Sequence, residues 1–357
     1  MEQDLDQDLG QVLQQQVRAA YEQGRPLHIV GSGSKGFYGR RVAAMSLALT
    51  GHRGVVSYEP TELVITARAG TPLVEIEALL AEHGQMLAFE PPRFGGMGTI
   101  GGAIASGFSG PRRPYVGSAR DFVLGCRMVN GQGETLRFGG EVMKNVAGFD
   151  VARLMAGAFG TLGLLLEVSL KVLPRPEQSL TLVFAVEPQA VVAEMVRLSN
   201  QPLPLSAMLY GEGQLYLRLS GAASALRAAQ TVLGGEVVEA ADRFWNQHRD
   251  QSHPFFGGHG PLWRLSLPPA TPLLELPGES LIEWGGAQRW LRSDAPVEQV
   301  RQAAASVGGH ATLFRGGDRD AEPQQPPAAA MMQMQGRIKT AFDPGGIFNP
   351  GLLCRDF

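Results

Sequence analysis

The sequence predicts an α+β chain of two domains, and three observations carry that prediction. Three glycine clusters, Gly31–Gly36, Gly95–Gly107 and Gly157–Gly163, fall in the first half at intervals of about sixty residues. Short strand-like and helix-like stretches then alternate through the second half, the pattern of one sheet covered by helices. Between the two lies Pro174-Arg-Pro176, after which the glycine clusters cease. A length of 357 residues suits two domains.

The elements follow in order. Leu5, Leu9, Val12, Leu13, Val17 and Ala20 recur at helical spacing, so residues 4–23 read as an amphipathic helix stopped by Gly24. Pro26 to Val30 reads as a strand entering the first glycine cluster, and Leu63 to Ala67 as a second strand. Thr71-Pro72 opens a helix reaching His83-Gly84, since proline is tolerated in a first helical turn. Asp121 to Val129 is a strand ending at the hairpin signal Asn130-Gly131. A short helix at 149–155 and an apolar strand at 162–172 complete this half. Beyond Pro176, strands are expected at 180–186 and 214–219 and helices at 189–198 and 222–233. Gly316 to Ala328 reads as a flexible linker, Ala329 to Phe342 as a helix, and the remainder as an irregular tail.

Composition excludes several classes. Thirty-one basic and 34 acidic residues give a net charge of −3, without the basic surface a nucleic-acid partner needs. Cys126 and Cys354 are too few and too far apart for a metal or iron–sulfur site, and they suit a reducing, cytoplasmic compartment. Glu2, Asp4, Asp6 and Asp8 make an acidic start with no signal-peptide character. The longest apolar run, Met155 to Leu166, is too short to span a bilayer, so membrane association would come through partners.

The stretch Phe94-Gly-Gly-Met-Gly-Thr-Ile-Gly-Gly-Ala-Ile-Ala-Ser-Gly107 holds six glycines in fourteen residues. It reads as backbone bared for a ligand, not as a segment that packs a core. Three such loops suggest a large phosphate-bearing cofactor held by main chain. Gly31-x-Gly33-x-x-Gly36 matches the dinucleotide fingerprint literally. The Phe37-Tyr-Gly-Arg-Arg41 that follows lacks a helical register, and Gly51-His-Arg-Gly54 stands where a ribose-binding acid belongs. A phosphate-binding nest suits the loop better than a Rossmann turn, and an ordinary glycine turn is the alternative.

The second cluster continues into Tyr115-Val-Gly, Asp121-Phe-Val-Leu-Gly and Asn130-Gly-Gln-Gly-Glu. The third is framed by Lys144-Asn-Val-Ala-Gly-Phe-Asp150 and Leu170-Lys-Val-Leu-Pro174. In this order and spacing, residues 1–175 resemble the FAD-binding domain of the vanillyl-alcohol oxidase superfamily, the para-cresol methylhydroxylase type. The closing Asp343-Pro-x-x-x-x-Asn-Pro-Gly351 is similar to the tail of its 2-hydroxy-acid dehydrogenase branch. Within that branch the short chain, with Leu262-Trp-Arg-Leu-Ser266 and Ala311-Thr-Leu-Phe-Arg315, resembles the flavoprotein subunits of bacterial glycolate-oxidising complexes.

The resemblance implies a two-subdomain FAD domain at 1–175, a smaller α+β cap at 176–335, and a tail, 336–357, returning to the FAD domain. It implies that Val30, Gly31, Ser32, Gly33, Ser34 and Lys35 present backbone amides to the FAD pyrophosphate. Thr99, Ile100, Gly101, Gly102, Ala103, Ile104, Ala105 and Gly107 would lie along the pyrophosphate and isoalloxazine. Gly160, Gly163, Leu164 and Leu165 would pass the adenine and ribitol, and Asn349 would approach the flavin ring. Lys144 stands beside the isoalloxazine or is a surface lysine. Relatives that tether flavin use a His or Cys near the first two loops. None occurs between Gly95 and Gly125, so the flavin is expected to be non-covalent.

The implied partners are a homologous larger flavoprotein subunit, an iron–sulfur subunit and a small 2-hydroxy acid such as glycolate. The His-rich metal motif of catalytic relatives, Gly-His-x-Gly-Asp-Gly-Asn, is missing, and no metal site is assigned. His248, His253 and His259 form the nearest cluster, at spacings of five and six that suit no common ligand pattern. A loop without chemistry, a substrate-site base and a metal site are the three readings. If this chain oxidises the substrate itself, His253 or His259 is the candidate base, and Arg264 or Arg315 the candidate carboxylate clamp. A structural ion pair is the other reading of each arginine. Otherwise the chain is an electron-relay or scaffolding subunit. The NADPH-using cell-wall enolpyruvyl reductase of the same superfamily suits the tail and the Lys144–Pro174 segment less well.

Overall fold

The computed structural model describes residues 8–96, 98–140 and 149–355. Helix Gly10–Glu22 buries Leu13, Val17 and Ala20 on one face. It starts later than the apolar pattern suggests, because Leu9 precedes the first turn and Val12 points outward, half exposed. Strand Leu27–Val30 pairs in parallel with Met45–Ala48, and Phe348 of the tail bridges back onto Leu27.

The second layer is a five-stranded antiparallel sheet in the order Val55–Glu59, Val64–Arg68, Leu164–Lys171, Val123–Val129, Thr135–Gly139. Val64–Arg68 is buried at all five positions, as an inner strand covered on both faces should be. The expected Asn130 turn joins the last two strands, with Asn130 Oδ1 accepting from the amides of Gln132 and Glu134. Helices Leu73–Glu82 and Ile100–Ser106 share this lobe's core through Leu73, Ile76, Leu80, Ile100 and Ile104.

The second half forms one eight-stranded antiparallel sheet. Its order is Glu236–Val237, Gln178–Ala185, Gln214–Gly221, Leu205–Gly211, Glu279–Glu283, Gln288–Arg292, Leu262–Ser266, His310–Arg315. Alternation along the strands gives the sheet two different faces. On one, helices Val191–Ser199, Ala223–Leu233 and Val297–Ser306 pack onto residues such as Met208, Leu219 and Trp263. The other presents Leu209, Leu262, Leu281, Trp290 and Phe314, which pack with Tyr38 and Phe108 of the glycine-rich half. That second interface is where the two halves meet.

Two expectations are corrected. The glycine-rich stretch does pack a core: Ile100–Ser106 is helical, and Ile100, Ala103 and Ile104 are 0–1% exposed. Thr99 caps the helix, Ile100 and Ile104 share a face, and glycine supplies close approach rather than flexibility. Residues 316–328 are not a free linker. The Leu313 amide donates to Pro323 O, Arg319 Nε donates to Gly39 O at 3.0 Å, and Arg40 Nη1 donates to Asp320 O at 2.7 Å. The segment is therefore strapped across the first glycine loop. Among the described residues no helix is long and apolar enough to cross a membrane.

Candidate functional site

The three glycine loops converge on one cradle. The first leaves strand Leu27–Val30 and turns at Gly33, whose φ of +72° favours glycine. Among the described residues, the amides of Ser32, Gly33, Ser34 and Lys35 donate to no protein acceptor. The second loop meets the first so closely that a Cβ on Gly31 would lie 2.6 Å from Thr99 Oγ1. Thr99 Oγ1 accepts from the Gly102 amide at 3.2 Å, and the Gly101 amide donates to Ala69 O at 2.9 Å. The third loop docks on the second, with the Gly157 amide donating to Ile104 O and the Phe159 amide to Ala105 O.

Between the loops lies a cavity of about 320 Å³. Val30, Gly31, Ser32, Gly33, Ser34, Lys35, Thr99, Gly102, Ala105 and Asn349 all line it. A smaller adjoining cavity of about 70 Å³ is lined by Gly101, Gly160, Gly163 and Leu165 together with Gly31 and Thr99. Ile100, Ala103, Ile104 and Leu164 face the core instead. Gly107 closes the helix in the left-handed conformation, φ +65°, against Gly157. Lys144 lies outside the described residues. Asn349 works as a clasp: its Oδ1 accepts from the Ile29 amide at 2.8 Å, and its Nδ2 donates to Phe159 O at 2.6 Å. The tail thus ties the first loop's strand to the third loop.

Lys35 is an unbalanced charge within the cradle. Its ammonium has no hydrogen-bond or ion-pair partner among the described residues, and it rests 5.6 Å over the Phe94 ring. A Cβ built on Gly102 would lie 3.8 Å from Nζ, so the cation stands at the mouth of the second loop. Burial pulls its pKa down to about 8. Free amides, a bare glycine wall and an unpaired cation together make a receptor for a phosphate-bearing ligand.

Above the cradle the interdomain face is filled by aromatic rings. Tyr38 stacks on Phe159 at 4.8 Å, and Phe314 packs at 5.4 Å on both Tyr38 and Phe108 and at 4.8 Å on Trp290. One space among these rings is about 30 Å³, with Arg264, Glu283, Gln288 and His248 among its walls, while Tyr38 and Arg264 also border a wider cleft between the halves. Glu283 is buried, which pushes its carboxyl pKa up, and it accepts from Gln288 Nε2 and Trp290 Nε1.

The four candidate catalytic side chains are not gathered together. Arg264 borders the 30 Å³ space and also a wider cleft of about 1020 Å³. It makes no ion pair among the described residues, donates from Nε to Gln288 Oε1 at 2.6 Å, and lies 5.3 Å from the Trp284 ring. Arg315 donates to Gln251 Oε1 and stacks 4.3 Å over Phe37. His253 caps the short helix Pro254–Gly257 and faces a separate cavity inside the second half. His259 is exposed. No group of three His, Cys, Asp or Glu residues among those described is disposed to hold a metal ion.

The fold and cradle define a flavoprotein of the two-subdomain FAD-binding class. A family model described as "FAD binding domain" matches residues 11–139. The 4-ethylphenol oxidase of Gulosibacter chungangensis shares the fold with a TM-score of 0.70 at 15% identity, over 97% of this chain and 87% of that one. An alkyldihydroxyacetonephosphate synthase gives 0.66 at 14%, over 95% and 75%. In sequence, the chain is 51% identical to glycolate oxidase subunit GlcE of Escherichia coli K12, over 97% of both proteins. It is also 34% identical to glycolate oxidase subunit GlcD of Bacillus subtilis 168, over 37% of this chain and 28% of that one. The chain belongs to the glycolate oxidase subunit GlcE family, and it is an FAD-binding flavoprotein.

Proposed function

We propose that this chain is the FAD-holding subunit of a glycolate-oxidising complex in which a larger, GlcD-like flavoprotein oxidises the 2-hydroxy acid. An iron–sulfur subunit is the third member. Residues 1–175 and 336–357 hold the cofactor, and 176–335 form the cap. The observation that carries this division of labour is the scatter of the four candidate side chains. Arg264 borders the interdomain cleft, Arg315 is engaged by Gln251 and Phe37, His253 faces a separate cavity and His259 is exposed, so no imidazole among these candidates stands beside a carboxylate clamp.

The flavin, when bound, supplies hydride and single-electron chemistry. The chain's own residues bind and orient it. The amides of Ser32 to Lys35 and the Lys35 ammonium take the pyrophosphate, Gly102 leaves it room, Gly31 and Gly101 let the second loop close on the first loop and on the core, and Gly160, Gly163 and Leu165 wall the far end. The packed rings of Phe108, Phe314 and Trp290 exclude water from the contact between the halves that lies beside the wider cleft.

The test is the visible spectrum of the chain alone under anaerobic glycolate. The flavin band is expected to persist unchanged, and to bleach once the larger flavoprotein is added. Bleaching in the isolated chain would transfer the chemistry here, with Arg264 as the carboxylate clamp.

Lys35 gives the cradle a pH dependence. Burial depresses its pKa to about 8 in the free chain, and a neighbouring pyrophosphate raises it, so above pH 8 binding takes up a proton. FAD affinity is therefore expected to fall as pH rises through about 8, by up to tenfold per unit. Lys35→Met should weaken binding by roughly ten- to a hundredfold at pH 7 and flatten that dependence, since hydrogen bonds to charged groups contribute about 1.5–3 kcal/mol. Titration of flavin fluorescence between pH 7 and 9.5 checks both.

A further inference from the structure

A second cavity, of about 340 Å³, lies within the cap and shares no lining residue with the flavin cradle. It sits where the hairpin of strands Leu205–Gly211 and Gln214–Gly221 meets strand Glu279–Glu283, under helices Ala241–Arg249 and Pro254–Gly257. Its size falls in the range of small-molecule sites, about 300–1,000 Å³.

The walls are aromatic. Tyr216 packs on Phe244 at 4.3 Å between centroids, His248 stacks on His253 at 4.4 Å, and Phe255 closes one side. His248 Nδ1 bonds Phe244 O at 2.8 Å, so a neutral ring donates there and keeps its Nε2 lone pair. Burial holds both imidazoles below the ordinary histidine value, His248 at about 4, so they stay uncharged at neutral pH.

The only formal charges lining the cavity are negative. Glu212 and Glu279 are exposed and have no ion-pair partner among the described residues, and no Lys or Arg borders the space. Arg292 stands across the strand pair from Glu279, but its guanidinium is held by the carbonyls of Phe255 and Gly258. Glu212 occupies a two-residue hairpin turn with Gly213, at φ +54°. That position favours Asn or Gly, so the carboxylate is placed there at some conformational cost.

We propose that this cavity is a binding site for an organic ammonium ion. The rings supply electron-rich faces for the cation, the apolar body fills the space against Leu209 and Leu281, and the two carboxylates select for positive charge. His248 also borders the interdomain space, so it is the wall that the two regions share.

The experiment is calorimetric titration of the FAD-loaded full chain with phenethylammonium chloride and, separately, with 2-phenylethanol, its neutral counterpart. Saturable one-to-one binding of the ammonium is expected, with the alcohol at least about tenfold weaker, as one charge-assisted contact would give. The pair Glu212→Gln and Glu279→Gln should weaken the ammonium by a similar factor. Both residues are exposed, so the thermal midpoint should stay unchanged. Gly211→Trp, whose Cβ would stand in ordinary contact 3.9 Å from Leu281 on the cavity face, fills the space and should abolish binding. Equal affinity for ammonium and alcohol would overturn the charge assignment. Binding that survives Gly211→Trp would place the ligand elsewhere, and no saturable heat would make the cavity a packing void.

Discussion

Replacing Gly102 with leucine is expected to give a folded chain that purifies without flavin. Gly102 is the third residue of helix Ile100–Ser106 and stands on its cradle side. A Cβ there would meet only Thr99 Oγ1 at 3.1 Å and Lys35 Nζ at 3.8 Å, so the protein accommodates it once the Thr99 hydroxyl gives by a few tenths of an ångström. Leucine also suits a helix better than glycine, by about 0.8 kcal/mol, so the fold should not suffer. The added side chain projects into the space the pyrophosphate needs, and retention should fall by at least about a hundredfold, a loss near 2.7 kcal/mol. Gly101→Ala is the contrasting variant. Its Cβ would fall 2.5 Å from Ala69 Cβ and 2.8 Å from Ala69 O, which are core and backbone atoms. That chain should lose thermal stability before any question of cofactor arises. The flavin band and the thermal midpoint of the two proteins separate cradle from core, and a Gly102→Leu protein with its full flavin complement would sink the assignment of the second loop.

Those neighbouring glycines show how far the sequence could be read. The α+β class was legible in the alternation of short strands and helices, and the two-subdomain FAD fold came from the family resemblance carried by the motifs of residues 1–175. What each glycine does was not legible. Gly101 and Gly102 are identical in the sequence, and only the position of Ala69 makes one a packing contact and the other a ligand wall. The helix they belong to was hidden for a related reason. Glycine lowers helix propensity, and the signal that overrides it, Ile100 and Ile104 one turn apart above a Thr99 cap, is short. Lys35 was visible as a loop residue, but its isolation emerges only when the fold shows that no carboxylate among the described residues reaches it. Arg319 reaches Gly39 from 280 residues away, which no spacing rule anticipates. His248 looked like part of a loop because helix Ala241–Arg249 is polar nearly throughout, with only Trp245 and His248 buried. Its pairing with His253 comes from the helix end, not from metal-ligand spacing.

Lys339→Met is expected to be the most destabilising single change outside the apolar core. Helix Ala329–Phe342 buries one residue, and that residue is a lysine. Its ammonium donates to Asp343 Oδ2 at 2.6 Å, Thr161 O at 2.8 Å and Phe348 O at 2.9 Å. Asp343, also buried, accepts in turn from the amides of Ile347 and Phe348. One side chain therefore joins the third glycine loop, the last helix and the strand-bridging tail. Methionine matches its length but leaves Asp343 without its counter-charge and two carbonyls without a donor. Removing one partner of a buried pair costs about 3–5 kcal/mol, which at roughly 2–4 °C per kcal/mol lowers the melting midpoint by about 10 °C. The effect should not stay local. Phe348 is bridged to Leu27, and Asn349 clasps Ile29 to Phe159, so loosening the tail also loosens two of the three loops around the cradle. Flavin should accordingly be released at lower temperature in Lys339→Met than in the parent, together with the thermal transition and not before it. Saturating FAD should recover part of the lost stability, because ligand binds only the folded chain. An unchanged midpoint would mean that the tail is held by its apolar contacts alone, and that Lys339 is a passenger in the fold.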